Sequence, residues 1–192
     1  LVDLRCVSAA QPSSHCQPAY PSGLVRQAII MNIFWLSMDL ERCAQMHTKS
    51  HISKMPTEMV QMLCTAHWTH GNDAPWMPAY HHHPCTIWVA QTVENYRIAW
   101  NLGYQLFKEF RYRRGKMHGS EPVFFSVRCA PPALTARGYT KFPQAMPDQY
   151  KHHDVITAYR DYYVGEKQHL FDWECRPIPQ FVLNSRKYQA NG

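Results

Sequence analysis

The chain has 192 residues, enough for one domain with a real core, and its hydrophobic fraction of 45% is ordinary for a globular protein. Charged residues are only 18%, 12 His partly take their place, and the formal net charge of +6 favours polyanions such as nucleic acid, nucleotides or an anionic surface. No apolar run approaches the roughly 18 residues of a membrane span, the N-terminus lacks the pattern of a signal peptide, and no Cys pair has CxxC spacing, which excludes a spanning helix, a secretory leader and a zinc knuckle.

In chain order, residues 1–30 read as a disordered leader, with Pro12, Pro18 and Pro21 and no sustained period. A better-behaved sequence begins at Met31, which suggests that the leader is translated from upstream of the true start. Ile29–Leu36 is short and apolar, and predicts a buried strand. Asp39 reads as an N-cap for a helical pattern from Leu40 to about His67, which Pro56 interrupts. The expectation there is a kink, or two helices with Pro56 in the first turn of the second. Gly71–Pro84 reads as a loop.

Cys85–Arg114 then predicts a long central helix, with Val89, Val93, Tyr96, Trp100, Gly103, Phe107 and Phe110 along one stripe. Pro84 fits its first turn and Gly115 its end. Val123–Val127 fits either strand or helix. Asp154 predicts the cap of a last helix reaching about Trp173. Cys43, Cys64 and Cys85 read as small core residues in a reducing compartment. The fold class expected is mainly α: a single compact helical domain over residues 31–182, with a short N-terminal strand, a long central helix and a polar tail over residues 183–192.

Three polar constellations stand out. His47, His51, Lys54, Glu58 and Gln61 recur at helical steps, which places them on one face. Such a stripe reads either as a water-facing surface or as a cleft that moves protons. In the second case Lys54, beside two imidazoles, would act as a nucleophilic amine and Glu58 as acid or base. His47 and His51 share the spacing of the zinc-protease helix, but Thr48 stands where its Glu would be. The second constellation is His81-His82-His83 before Pro84, a possible anion site at a helix start or a solvated loop. The third is Lys108–Lys116, where Arg111, Arg113, Arg114 and Lys116 alternate with aromatics and would grip phosphates if they are not merely a solvated helix end. Tyr159, Arg160, Tyr162, Tyr163 and Trp173 read as core packing.

From Met31 several blocks, among them MNIFWLSMDLERCAQMHTKSHISKM, HHPCTIW, PQAMPDQYK and AYRDYYVGEK, resemble a family of small, largely uncharacterised proteins of tailed phages. The family carries His-Val-Val-Lys-Met-Ile-Leu-Glu where this chain has His51-Ile52-Ser53-Lys54-Met55-Pro56-Thr57-Glu58, so His51, Lys54 and Glu58 match and Pro56 departs. The triple His also departs from the family's Asn-His-Pro and leaves His83-Pro84 in place. A second resemblance, resting on His83-Pro84 before a long helix and Arg114-Gly115 at its end, is to pyrimidine-dimer DNA glycosylases of the endonuclease V type. It implies base excision through a Schiff base on an N-terminal amine, with a Glu assisting.

The leading functional expectation is a phage-type, DNA-directed enzyme, a base-excising glycosylase or lyase that needs neither metal nor cofactor. Glu58 and Lys54, or the N-terminal amine, carry its chemistry. His47, His51 and His83 line its pocket, and Arg111, Arg113, Arg114 and Lys116 hold DNA phosphates. The alternatives are a non-catalytic nucleic-acid or nucleotide binder and a His-dependent metallohydrolase. The expected location is the cytoplasm, that of a host if the protein is viral.

Overall fold

The computed structural model describes residues 31–185. The expected leader and most of the polar tail lie outside them. The described residues are mainly helical, with seven α-helices: α1 (Leu40–Gln45), α2 (Lys49–Thr69), α3 (Pro84–Val89), α4 (Val93–Arg114), α5 (Glu121–Ser126), α6 (Val155–Glu166) and α7 (Gln180–Leu183). Helix α4 packs against α1 and α2, and α2 also meets α3 and α5. One apolar cluster runs through all of these and takes in Tyr159, Tyr162 and Tyr163 of α6, as the stripe on that helix predicts.

Several boundaries follow from local chemistry. The Asp39 carboxylate caps α1 by accepting from Arg42 N, and Asp154 caps α6 by accepting from Thr157 N. Pro84 occupies the first turn of α3, and Gly115 ends α4 in the left-handed conformation at φ 63°. The approach of α2, α4 and α5 depends on Gly103. A Cβ there would lie 2.7 Å from Phe124 Cε2 and 2.8 Å from Met59 Cγ.

The long central helix is two helices. The chain leaves α3 at Ala90, and Thr92 restarts it by accepting from Asn95 N. Asn95 is buried and ties the joint to a distant loop, donating to Trp88 O at 2.9 Å and Thr140 Oγ1 at 2.6 Å. Of the two alternatives at Pro56, two helices do not form there: the chain breaks at Met46–Thr48 instead, and Pro56 sits inside α2. A proline there deprives Ile52 O of its helical donor and crowds the preceding turn. His118 Nε2 donates to the neighbouring Ser53 O at 3.1 Å, so a side chain from outside the helix partners this weakened turn. Helix α6 ends at Glu166, short of the expected Trp173, and a 3₁₀ turn, Gln168–Leu170, follows.

Of the expected strand, Met31–Leu36 is described. It is buried but pairs with no strand among the described residues. Its backbone donors go to side chains instead: Asn32 N to Glu58 Oε2, Ile33 N to Asn32 Oδ1 and Leu36 N to Cys43 Sγ. A buried N–H needs a partner, and these supply what a neighbouring strand would.

Candidate active site

The five-residue stripe does not face one cleft. His47 lies in the joint between α1 and α2, and His51 in the first turn of α2, both buried. His47 Nδ1 donates to Cys43 O at 2.7 Å. His51 stacks on Phe34 at 4.6 Å between ring centroids, and its Nδ1 is hydrogen-bonded with the Tyr163 hydroxyl at 2.6 Å. The same hydroxyl oxygen accepts from Thr48 N at 2.9 Å, satisfying a free donor at the start of α2. Burial pushes His47 down to about 4 and His51 down to about 2, so both are neutral packing groups at neutral pH. They line no open pocket with Lys54, because the helical stripe they belong to turns into the core at this end.

Lys54 and Glu58 do come together. Lys54 Nζ is 3.1 Å from Glu58 Oε1, and the two side chains are 45% and 5% exposed, so a reachable amine meets a buried carboxyl. Pro56 does not separate them, because α2 runs through it. The other carboxyl oxygen, Oε2, accepts from Asn32 N at 3.1 Å. Oε1 has no aligned hydrogen bond and is held towards Lys54 by charge. Burial pushes the Glu58 carboxyl up, and the charge of Lys54 and the Asn32 N–H only partly oppose this.

Asn32 extends the site inward. Its Oδ1 accepts from the Tyr159 hydroxyl at 3.1 Å and from the Cys85 thiol at 3.6 Å, and its Nδ2 donates to Ala145 O at 2.8 Å. Burial drives the Cys85 thiol up to about 12, so it is an inert, protonated wall. Asn32, Tyr159 and Cys85 carry no sequence signal as site residues, because they lie far from Glu58 along the chain.

The basic end of α4 is largely neutralised. Arg111 pairs with Glu121 at 2.6 Å, Arg114 with Glu174 at 2.6 Å, and Arg113 with Glu109 at 2.6 Å. The Arg113 side chain is 0% exposed, which removes it from any phosphate-gripping surface. Arg176 completes the cluster, reaching Glu109 Oε2 at 2.8 Å while stacking over Tyr112 at 4.0 Å. Burial pushes the Glu109 carboxyl up, but the hydrogen bonds and charges of Arg176 and Arg113 outweigh it and leave it below its usual value. Replacing Glu109 by Gln strands a fully buried guanidinium, so we expect a loss of about 3–5 kcal/mol in urea unfolding. A loss below about 1 kcal/mol would mean that water reaches Arg113. Of the four basic residues expected to hold phosphates, Lys116 is exposed and outside these pairs.

His83 caps α3 by accepting from Cys85 N at 3.2 Å, while the His81 and His82 rings lie 4.0 Å apart, tilted to each other, in the exposed loop before it. The imidazole thus takes the donor that an anion would need. Among the described residues no three His, Cys, Asp or Glu side chains converge as metal ligands, so the metallohydrolase reading finds no geometry in His47, His51 and residues 81–83. Nor is any helix long and apolar enough to cross a membrane among them.

Two concave surfaces lie away from Glu58. One, of about 610 Å³, is lined by Lys141, Phe142, Pro143, Gln144, Lys151, His152 and His153. The other, of about 510 Å³, lies along α6 and α7 beside Arg160, Asp161 and Phe181. Comparison with protein-family models, curated proteins and solved structures finds no match to this chain.

Proposed function

We propose that this chain is a DNA-directed enzyme that excises a base through an imine, with Lys54 as nucleophile and Glu58 as acid and base. The observation that carries the reading is the half-exposed Lys54 amine 3.1 Å from a buried Glu58 carboxyl whose proton affinity burial raises. The net charge of +6 supports a polyanion such as DNA as the partner. Of the two nucleophiles expected, Lys54 and an N-terminal amine, Lys54 is the one whose amine the described residues place at the carboxyl.

The chemistry balances on these two groups. A proton passing from Nζ to Oε1 converts the ion pair into a neutral amine and a carboxylic acid. Nζ then bonds to C1′ of the deoxyribose of an extruded nucleotide. The C1′–base bond breaks, its electron pair leaves with the base, and Glu58 supplies the proton that the base takes up. The carboxylate recovers a proton from the new secondary ammonium and hands it to O4′ as the C1′–O4′ bond opens. What remains is a protonated imine between Nζ and C1′, which water hydrolyses to restore the amine and the acid. Asn32 N holds Oε2, which leaves Oε1 turned towards Lys54 Nζ.

Lys54→Arg separates catalysis from binding. Arginine keeps the charge and the pairing with Glu58 but forms no imine. On an ultraviolet-irradiated duplex, we expect base release to vanish while affinity for the duplex stays within about twofold. Equal base release by both proteins removes Lys54 as nucleophile. Binding by both without release by either leaves a non-catalytic DNA-binding protein.

A further inference from the structure

We infer that the cleft between residues 141–144 and 151–153 holds the phosphodiester backbone of the nucleic acid, a role the sequence had placed at the end of α4. This rests on the reading of the chain as a DNA-directed protein and adds where the strand is gripped.

Lys141, Lys151, His152 and His153 all line this cleft and are all exposed. Asp148 pairs with Lys151 at 2.6 Å, but its side chain is 94% exposed, and such surface pairs are readily exchanged for a phosphate. The arginines at the end of α4 are in the opposite situation, with carboxylates that are themselves buried or half-buried.

The cleft is also pre-shaped. Gln144 clamps the facing segment at two points, donating from Nε2 to His152 O at 2.5 Å and accepting at Oε1 from His152 N at 2.9 Å. The His152 and His153 rings lie 4.0 Å apart beside it. A site that is ordered before binding loses less entropy when the ligand arrives.

Its wall leads to the candidate chemistry. Pro143 O accepts from the Tyr159 hydroxyl at 2.9 Å and Ala145 O from Asn32 Nδ2 at 2.8 Å, while Asn32 N donates to Glu58. Pro143, in the cleft wall, is therefore three hydrogen bonds from Glu58 by way of Tyr159 and Asn32, and the adjoining Ala145 is two. The segment that lines the cleft also coincides with PQAMPDQYK, one of the blocks shared with the phage family, to which the charge pattern alone gives no role.

The test is fluorescence anisotropy with a labelled duplex carrying an abasic site, across a salt series, on the full chain. Three proteins are compared: the unaltered chain, Lys141→Glu/Lys151→Glu, and the charge-matched Lys108→Glu/Lys116→Glu at the end of α4. All four lysines are exposed, and circular dichroism confirms that the variants fold. We expect the cleft variant to bind at least about tenfold more weakly, with a salt slope flatter by about 2, as for two lost phosphate contacts. The α4 variant should change affinity by less than about threefold. Unchanged affinity in the cleft variant, or equal losses in both, overturns the cleft assignment. If imine trapping by the unaltered chain persists in that case, the enzymatic reading stands without it. Cleft-dependent binding without any imine overturns the enzymatic reading and leaves the cleft. No binding by the unaltered chain overturns both.

Discussion

Lowering the pH from about 8 to about 5 should remove on the order of 4 kcal/mol of stability, and the cause is two buried imidazoles. Burial lowers His47 from 6.5 to about 4 and His51 from 6.5 to about 2. In the unfolded chain both take up protons below about pH 6.5, whereas in the folded chain neither does until far lower. The unfolded state therefore binds more protons throughout this window, and stability falls as pH falls, by up to about 1.4 kcal/mol per pH unit for each group. Above about pH 7 the curve should be flat with respect to these two groups. Glu58 works in the opposite sense, because its raised carboxyl favours the folded state at low pH and loses that contribution as pH rises through its folded value. It offsets part of the loss near its own titration. Urea midpoints at about pH 8, 6 and 5 check this. A midpoint that is level from about pH 7 to 5 would mean that His51 is hydrated or charged in the fold, and that its stacking on Phe34 is not maintained.

Glu58→Gln should lower base release by about 10²–10⁴-fold while leaving DNA affinity unchanged. Glutamine has the size of glutamate and still offers an oxygen to Asn32 N, so the local packing survives. What it lacks is a transferable proton: it cannot protonate the departing base, take the proton from the ammonium or open the sugar ring. Thermal stability should be level or slightly raised, because the variant removes a carboxyl that burial disfavours in its charged form and leaves a lysine that water can solvate. A drop in activity accompanied by a large drop in melting temperature would point to a merely structural Glu58. Undiminished activity would remove it from the chemistry.

The helical class and a few helix ends were legible in the sequence because they depend on neighbours within one turn. Asp39, Gly115 and Asp154 act through backbone groups three or four residues away and Pro84 through its own fixed φ, and each acts as its type predicts. The break at Ala90–Thr92 was not legible, since Val89, Val93 and Tyr96 keep the helical period across it. The interruption depends on Asn95 reaching Thr140, 45 residues away. At Pro56 the two-helix alternative is the one that fails, since α2 continues through it. The turn before it has an outside partner in His118, which local reading cannot supply. The strand-like run Met31–Leu36 is buried as its composition requires, but its donors found Glu58, Asn32 and Cys43 in place of a second strand.

The same distinction holds at the candidate site. Lys54 and Glu58 share one helix at the spacing of four residues, so their meeting could be read from the chain. His47 and His51 fit the same pattern, but whether a polar stripe meets water or core is decided by what packs on it, here Phe34 and Tyr163. The arginines at the end of α4 carry an evident charge signal; the pairing of Arg113 with Glu109, four residues before it on α4, could be read in the same way, whereas Glu121 and Glu174, the partners of Arg111 and Arg114, sit on other segments. Periodicity sees pairs within one helix and cannot see a carboxylate that arrives from another segment.

The most direct measurement is borohydride reduction of the full chain mixed with a duplex containing an abasic site, whose opened sugar presents an aldehyde at C1′. The account predicts a covalent protein–DNA adduct, with the modified peptide carrying the added mass on Lys54 and with adduct formation suppressed in Glu58→Gln. No adduct, or an adduct confined to other amines and indifferent to Glu58, would contradict it.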